Sequence, residues 1–216
     1  MEPIQVTYNP RVFDVGSIDD AMRIILTPEG ATTEHRWATE TPYLADLIAG
    51  TFALTEQSLV LDYGCGIGRL AKALIARHGC RVIGVDISTN MRALGAVYMA
   101  SDRLFACSAD MLDVLVARGL RCDLALTVWV LQHCLRVGDD IARIAGALQP
   151  NGELFVVNQL SRAVPTVERG WVDDKVDLDA LLQGRFTLRA GGALDAQHTT
   201  EVLSQVGSWR AFRLLR

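Results

Sequence analysis

Apolar and polar positions follow two alternating periods through the middle of the chain. Ser58-Leu59-Val60-Leu61-Asp62 is an apolar run ended by glycines and predicts a strand. Ile67, Leu70, Ala71, Leu74 and Ile75 follow at helical spacing, with Gly79 as the stop. Arg81 to Asp86 predicts a second strand, and Ser88 a cap for a helix through Met91, Leu94 and Tyr98. Arg103 to Cys107 predicts a short third strand. Asp110 is expected to cap a helix bearing Leu112, Leu115 and Val116 that stops at Gly119. Asp123 to Val130 is the most apolar strand, as suits the centre of a sheet covered on both faces. Ile141, Ile144, Ala145 and Leu148 form the next helix, closed by Pro150-Asn151-Gly152, and Glu153 to Val157 is the fifth strand. This alternation predicts an α/β fold, Rossmann-like and doubly wound on a mostly parallel sheet.

The flanks are less regular. Asp20 to Leu26 and Thr33 to Thr39 predict short helices, and Thr41-Pro42 the cap and first turn of another through Leu44, Leu47 and Ile48. Beyond the core, Asp177 to Gln183 looks helical. Arg185 to Arg189 and Ser208 to Leu214 then predict two last strands with an irregular stretch between them. The rival reading makes Thr199 to Val206 a last helix with one strand after it.

Composition removes several classes. The chain has 216 residues, 50% of them apolar and 21% charged, so it is globular and large enough to bury a core unaided. Its net charge of −4 comes without runs of one sign, which argues against nucleic acid as the partner. The apolar stretch around Leu124 to Leu131 is far below the ~20 residues of a membrane span. Met1-Glu2-Pro3-Ile4-Gln5 has neither the basic nor the apolar region of a secretion signal. Cys65, Cys80, Cys107, Cys122 and Cys134 form no C-x-x-C pair, so neither a zinc site nor a redox dithiol is suggested. Reduced thiols in a cytoplasmic protein are expected.

Most chemistry lies in Val60-Leu61-Asp62-Tyr63-Gly64-Cys65-Gly66-Ile67-Gly68-Arg69-Leu70. A strand ending in glycines and opening into a helix lets a ligand approach backbone N–H groups. The dinucleotide spacing G-x-G-x-x-G would need glycine where Arg69 stands. An acid at position 62, two residues before the first glycine, is a poor neighbour for a pyrophosphate and a good one for an ammonium. Asp86, ending the second strand, suits a ribose diol. Asp110, after the third strand, could accept from the amine of an adenine with Met111 on the ring.

These segments resemble the class I S-adenosylmethionine-dependent methyltransferases, especially their broad small-molecule group. The resemblance spans roughly Ser58 to Asn158 and includes 82–91, Ser-Ala-Asp-Met at 108–111, 122–133 and Leu-Gln-Pro-Asn-Gly-Glu-Leu at 148–154. It implies a seven-stranded sheet with an antiparallel last strand and S-adenosylmethionine as cofactor. Gly64, Gly66 and Gly68 would surround its methionine part, Asp62 would lie near the ammonium, Asp86 would hold the ribose and Asp110 would face the adenine. Tyr63, Cys65, Ile87, Met91, Ala109, Met111 and Thr127 would complete the binding surface. One domain is expected over 1–216: a helical lid at 1–55, the cofactor-binding core at 56–160, and 161–216 completing the sheet and acceptor pocket.

Methyl transfer from a sulfonium depends chiefly on alignment, so no strong catalytic motif is required. His133, after the fourth strand, is the candidate general base, with His35 a weaker second. Glu34 to Tyr43 gathers polar and aromatic groups, among them Arg36, Trp37 and Tyr43, which with Trp129 are candidate substrate contacts. Arg162, Arg169 and Trp171 could line the opposite side. Neither the Asn/Asp-Pro-Pro-Tyr/Phe motif nor an acidic metal cluster is present, so the expected acceptor is a small molecule methylated on O or N without a metal. The protein would be a monomer or homodimer, without nucleic acid or membrane. Two rivals are a non-catalytic or sensing subunit that binds the same cofactor, and a nicotinamide-dependent oxidoreductase.

Overall fold

The computed structural model describes residues 7–24 and 32–215. The N-terminal pentapeptide read for a signal, and Ile25-Leu26 of the first predicted helix, lie outside the described residues. Seven strands form one sheet in the order β3-β2-β1-β4-β5-β9-β8. They are β1 (Leu59–Tyr63), β2 (Arg81–Val85), β3 (Leu104–Cys107), β4 (Cys122–Val128), β5 (Leu148–Gln159), β8 (Phe186–Ala193) and β9 (Gly207–Leu214). β1 to β5 pair in parallel, and β9 runs antiparallel between β5 and β8. The predicted fold is therefore correct, including its reversed last strand.

The helices α3 (Arg69–His78), α4 (Thr89–Met99), α5 (Ala109–Ala117) and α6 (Val137–Ala147) stand where the 3.6-residue stripes put them. One apolar core lies under α5, α6 and α7 (Leu178–Gln183), with Leu112, Ile141, Ile144, Leu182 and Phe212 buried in it. Another lies under α2 (Thr33–Thr51) and α3, with Leu44, Ile48, Leu74, Leu124 and Phe155 buried. β4 feeds both cores through alternate residues, which is why Leu124-Ala125-Leu126 is an unbroken apolar run.

Four local expectations change. Thr41-Pro42 does not start a helix: α2 runs unbroken from Thr33, with Thr32 capping the His35 N–H and Pro42 inside. The Arg36–Glu40 pair, one helical turn apart, lies just ahead of the expected break. Ser108, not Asp110, caps α5 by accepting from Met111 N at 3.2 Å. Pro150-Asn151-Gly152 does not separate helix from strand, because β5 begins at Leu148 and absorbs the turn as a register shift against β4. Both terminal strands exist, and so does a helix between them, α8 (Glu201–Val206), so the two C-terminal readings were not exclusive.

The flanks add elements with no local signal. A hairpin of β6 (Val164–Thr166) and β7 (Gly170–Val172) stands beyond β5, and Tyr8 pairs with Thr166 as a third, single-residue rung. From there the chain passes through a 3-10 turn at Pro10–Phe13 to Asp14, whose Oδ1 accepts from Ser88 Oγ at 2.9 Å. Residues 7–14 thus form a strap from the hairpin to the start of α4. A six-residue helix, α1 (Ile18–Arg23), capped by Ser17, follows the strap.

Candidate active site

The sheet order reverses between β1 and β4, and ligands of open α/β sheets enter the crevice at the carboxyl ends of such strands. The loop after β1 is tied to β2: Gly64 N and Cys65 N donate to Val85 O at 2.6 and 3.0 Å, and Gly66 N donates to Asp86 Oδ2 at 2.8 Å. Gly64 has φ +81°, and a Cβ there would sit 2.2 Å from Val130 Cγ2, at the exit of β4. Only glycine fits. The close approach brings the two strand ends together.

Two carboxylates face each other across this loop. Asp62 is 4% exposed, and burial, with the negative charge of Asp86 behind it, pushes its carboxyl up to about 7. Arg69 and the Ala71 backbone N–H oppose that shift. Burial also raises the Asp86 carboxyl, against the N–H groups of Ser88 (2.9 Å to Oδ1) and Gly66 and the charge of Arg92. A buried, half-ionised acid is short of a positive partner, and an ammonium is the ligand group that would supply one.

The remaining expected cofactor contacts spread along the ends of β1 to β4. Ile87 and Met111, after β2 and β3, are 58% and 45% exposed, apolar side chains standing at the rim. Asp110 is exposed on the first turn of α5, beside the half-buried Ala109, and Met91 is buried on α4. Thr127, fully buried on β4, has an Oγ1 with no hydrogen-bond partner among the described residues. Tyr63 and Cys65 differ from the expectation. The Tyr63 ring is buried in the α5–α6 core and its hydroxyl donates to Asp140 Oδ1 at 2.5 Å, which leaves its backbone for the loop. The Cys65 thiol is buried, within 3.4 Å of Gly66 O, and burial pushes its pKa up.

Past β4 the chain turns sharply at Trp129, which has φ +61°, a left-handed value that costs a bulky side chain energy. Its N–H donates to Val157 O at 2.7 Å and its indole Nε1 to Glu40 Oε1 at 3.0 Å. His133 follows in a 3-10 turn, Leu131–His133. Its Nδ1–H donates to Ala163 O at 2.6 Å, and its Nε2 accepts from Gln132 Nε2 at 3.1 Å. Burial and the Arg162 cation lower its pKa, against the Ala163 carbonyl, so the ring is neutral with the proton on Nδ1. It packs against Trp171 and Phe13, with centroids 5.1 and 5.9 Å away.

The lid candidates divide. Arg36 is buried and gives Nε and Nη2 to Glu40 Oε2 at 2.8 and 2.6 Å. The Trp37 indole donates to Met22 O, with its ring edge-on to Tyr98 and the Arg69 guanidinium 5.7 Å above it. Tyr43 is half-buried against the α2–α3 core, stacks on His198 and accepts from Asp195 N at 3.2 Å. His35 is exposed at the first turn of α2. Arg162 is buried, reaching Leu131 O, Cys134 O and Asp174, so it holds the β4 exit rather than solvent. Sequence reading missed Tyr8, Phe13 and Asp14 of the strap, which carry no motif. Burial raises the Tyr8 phenol, helped by the charges of Cys134, Asp140 and Asp86. It also missed Glu40, whose spacing from Arg36 was a usable signal.

A cavity of about 150 Å³ lies elsewhere, between α7 and the ends of β5 and β9, lined by Asn158, Arg162, Asp177, Asp179 and Arg210 among others. Arg162 pairs there with Asp174 and Arg210 with Asp179, so both of its cations are already neutralised. Among the described residues no His, Cys, Asp or Glu cluster has metal-ligand form, and no helix is long and apolar enough to cross a membrane.

Comparison with known proteins agrees with this geometry. Residues 61–156 match the family described as a methyltransferase domain. A ubiquinone biosynthesis O-methyltransferase of Bradyrhizobium diazoefficiens is 34% identical over 130 residues, 56% of this chain and 49% of the relative. A malonyl-[acyl-carrier protein] O-methyltransferase of Enterobacter lignolyticus is 23% identical over 74% of this chain and 63% of its own length. The chain spans about half the length of the ubiquinone-pathway relatives it matches. Among solved structures, the N-methyltransferase NodS from Bradyrhizobium japonicum, in complex with S-adenosylhomocysteine, superposes with TM-score 0.61 at 17% identity, over 82% of this chain and 86% of its own. A magnesium protoporphyrin IX methyltransferase of Synechocystis, also with S-adenosylhomocysteine, gives 0.63 at 15% identity, over 90% and 93%.

Proposed function

We propose that the chain is a class I S-adenosylmethionine-dependent methyltransferase that moves a methyl group from S-adenosylmethionine to an oxygen of a small-molecule acceptor. The observation that carries the reading is Asp62, a buried carboxylate lifted to about 7 at the switch point, beside a loop that only glycine can form. The cofactor supplies a methyl group activated on a sulfonium. Asp62 and the loop of Gly64, Gly66 and Gly68 would hold its amino-acid end. Asp86 would take the ribose hydroxyls with the lone pairs left after Gly66 and Ser88, and Ile87, Met111 and Asp110 would enclose the adenine. Met91, Ala109, Thr127 and the backbone at Tyr63 and Cys65 complete this proposed surface.

The named O-methyltransferase relatives support oxygen as the acceptor atom; a nitrogen acceptor is the second reading, favoured by the likeness to NodS. A hydroxyl acceptor arrives protonated, and His133 is the neutral base at the β4 exit that would receive the proton on Nε2 once the Gln132 amide gives way. Trp171, Phe13 and Tyr8 would border the acceptor, with 161–216 closing its far side.

Calorimetric titration with S-adenosylmethionine, S-adenosylhomocysteine and NAD tests the reading. Micromolar binding of the first two and none of the third is expected. Asp86→Ala should weaken that binding at least tenfold, since a charge-assisted pair is lost. Binding of NAD alone would return the site to the oxidoreductases, and binding without turnover of any acceptor would favour a sensing subunit.

A further inference from the structure

We propose that Glu40 is a positioning residue for the cofactor site, setting Arg69 beside Asp62 and holding Trp129 at the exit of β4; this rests on the methyltransferase reading above. Glu40 lies in the middle of α2 and is 0% exposed. A carboxylate so buried requires partners on every side, and this one has four donors. Oε2 accepts from Arg36 Nε and Nη2. Oε1 accepts from Arg69 Nη2 at 3.2 Å and from Trp129 Nε1 at 3.0 Å. Those donors come from three segments distant in sequence: α2 itself, the residue that follows Gly68 in the loop, and the left-handed turn after β4. Thr41 Oγ1 accepts Arg69 Nη1 at 2.9 Å, and the Trp37 ring lies under the same guanidinium, so Arg69 is fixed from the α2 side.

The arrangement also sets a charge balance. Two guanidinium groups meet one carboxylate at Glu40, leaving an excess positive charge, while Asp62 next to Arg69 is short of one. Despite its burial, the Glu40 carboxyl is held below its usual range by Arg69, Arg36 and the Trp129 N–H. The groups acting on Asp62 are Asp86 and Arg69, and it in turn raises the Cys65 thiol. Glu40 shares Arg69 with Asp62. It thereby sets how readily Asp62 ionises and takes an ammonium.

Glu40→Gln separates this role from a purely structural one. The probe is S-adenosylhomocysteine, titrated calorimetrically from pH 5.5 to 8.5 into the variant and the wild type. At pH 8 the variant should bind about tenfold more weakly, because the neutral amide can still accept from Arg69 and Trp129 but no longer supplies the carboxylate that holds Arg36 and Arg69 together. Its acid limb should move to lower pH by at least half a unit, because the positive charge of Arg69 is no longer offset by the Glu40 carboxylate, which favours the Asp62 anion. Glu40→Asp keeps the charge and should return the acid limb to the wild-type position. Equal weakening at every pH with an unmoved acid limb, or unchanged binding, overturns the proposal. If Glu40→Gln does not fold, Trp129→Phe removes one donor with an aromatic ring kept; at least threefold weaker binding at pH 8 is expected, and unchanged affinity overturns it. Failure of the wild-type protein to bind the probe would instead refute the methyltransferase reading itself.

Discussion

A buried acid whose nearby cation is already shared with another carboxylate destabilises the fold that holds it, and Asp62 is such an acid. In the folded chain its proton is released at about pH 7, in the unfolded chain near 4. Between those values the folded state binds more protons, so stability falls as pH rises through this window and stays flat above it. The loss is bounded at about 4 kcal/mol by the size of the shift. Asp62→Asn should therefore raise the unfolding free energy of the ligand-free protein at pH 8 by about 2 kcal/mol, read by urea denaturation. The same variant should bind S-adenosylhomocysteine at least tenfold more weakly. A substitution that stabilises the fold while harming binding marks a residue retained for its ligand. Asp62→Asn that is less stable than wild type at pH 8 would refute the strain.

Ser88 shows how one element can serve the site through its end. It caps α4 by accepting from Met91 N, gives its own N–H to Asp86, and donates its hydroxyl to Asp14 of the strap. Ser88→Ala should cost about 1–2 kcal/mol in chemical denaturation. It should also speed proteolysis within residues 7–14, and strap cleavage at the wild-type rate would show that Asp14 is held elsewhere. The cap itself was legible in the sequence, because a serine before an apolar 3.6-residue stripe is a local signal. The tether was not, since nothing near Asp14 announces a partner 74 residues away. The β6–β7 hairpin escaped notice for the same reason: its strands are three residues long and supported by Tyr8 across the fold. Pro42 misled in the opposite sense. Its local preference for a first turn lost to a helix whose buried Leu44, Ala45 and Ile48 continue the stripe begun by Arg36 and Glu40.

At the scale of the whole molecule, the cofactor side is made of consecutive strand ends and was therefore readable from sequence, while the acceptor side is assembled by long-range stitches. Arg162 is the clearest of these. From just beyond β5 it donates to Leu131 O at 2.7 Å and Cys134 O at 2.6 Å, and pairs with Asp174 through Nε and Nη2. An arginine is more often a surface residue, because arginines seldom lose their water without several partners. Here four acceptor atoms cannot be counted on from any one segment, yet two backbone carbonyls of the His133 turn and both carboxylate oxygens of Asp174 converge on it. Arg162→Leu takes from both carbonyls the guanidinium that holds them, leaving Leu131 O only the long bond from Cys134 N, whereas the partly exposed Asp174 can regain water. The expected cost is about 3 kcal/mol of stability, with Asp174→Asn costing less than half as much. Because the lost bonds hold the turn after β4, the damage should be polar in space. Affinity for S-adenosylhomocysteine should change less than threefold, while hydrogen exchange at residues 131–134 and 160–174 should accelerate well beyond that of β1 and β2. Uniform acceleration over the sheet would make Arg162 a prop of the global fold instead.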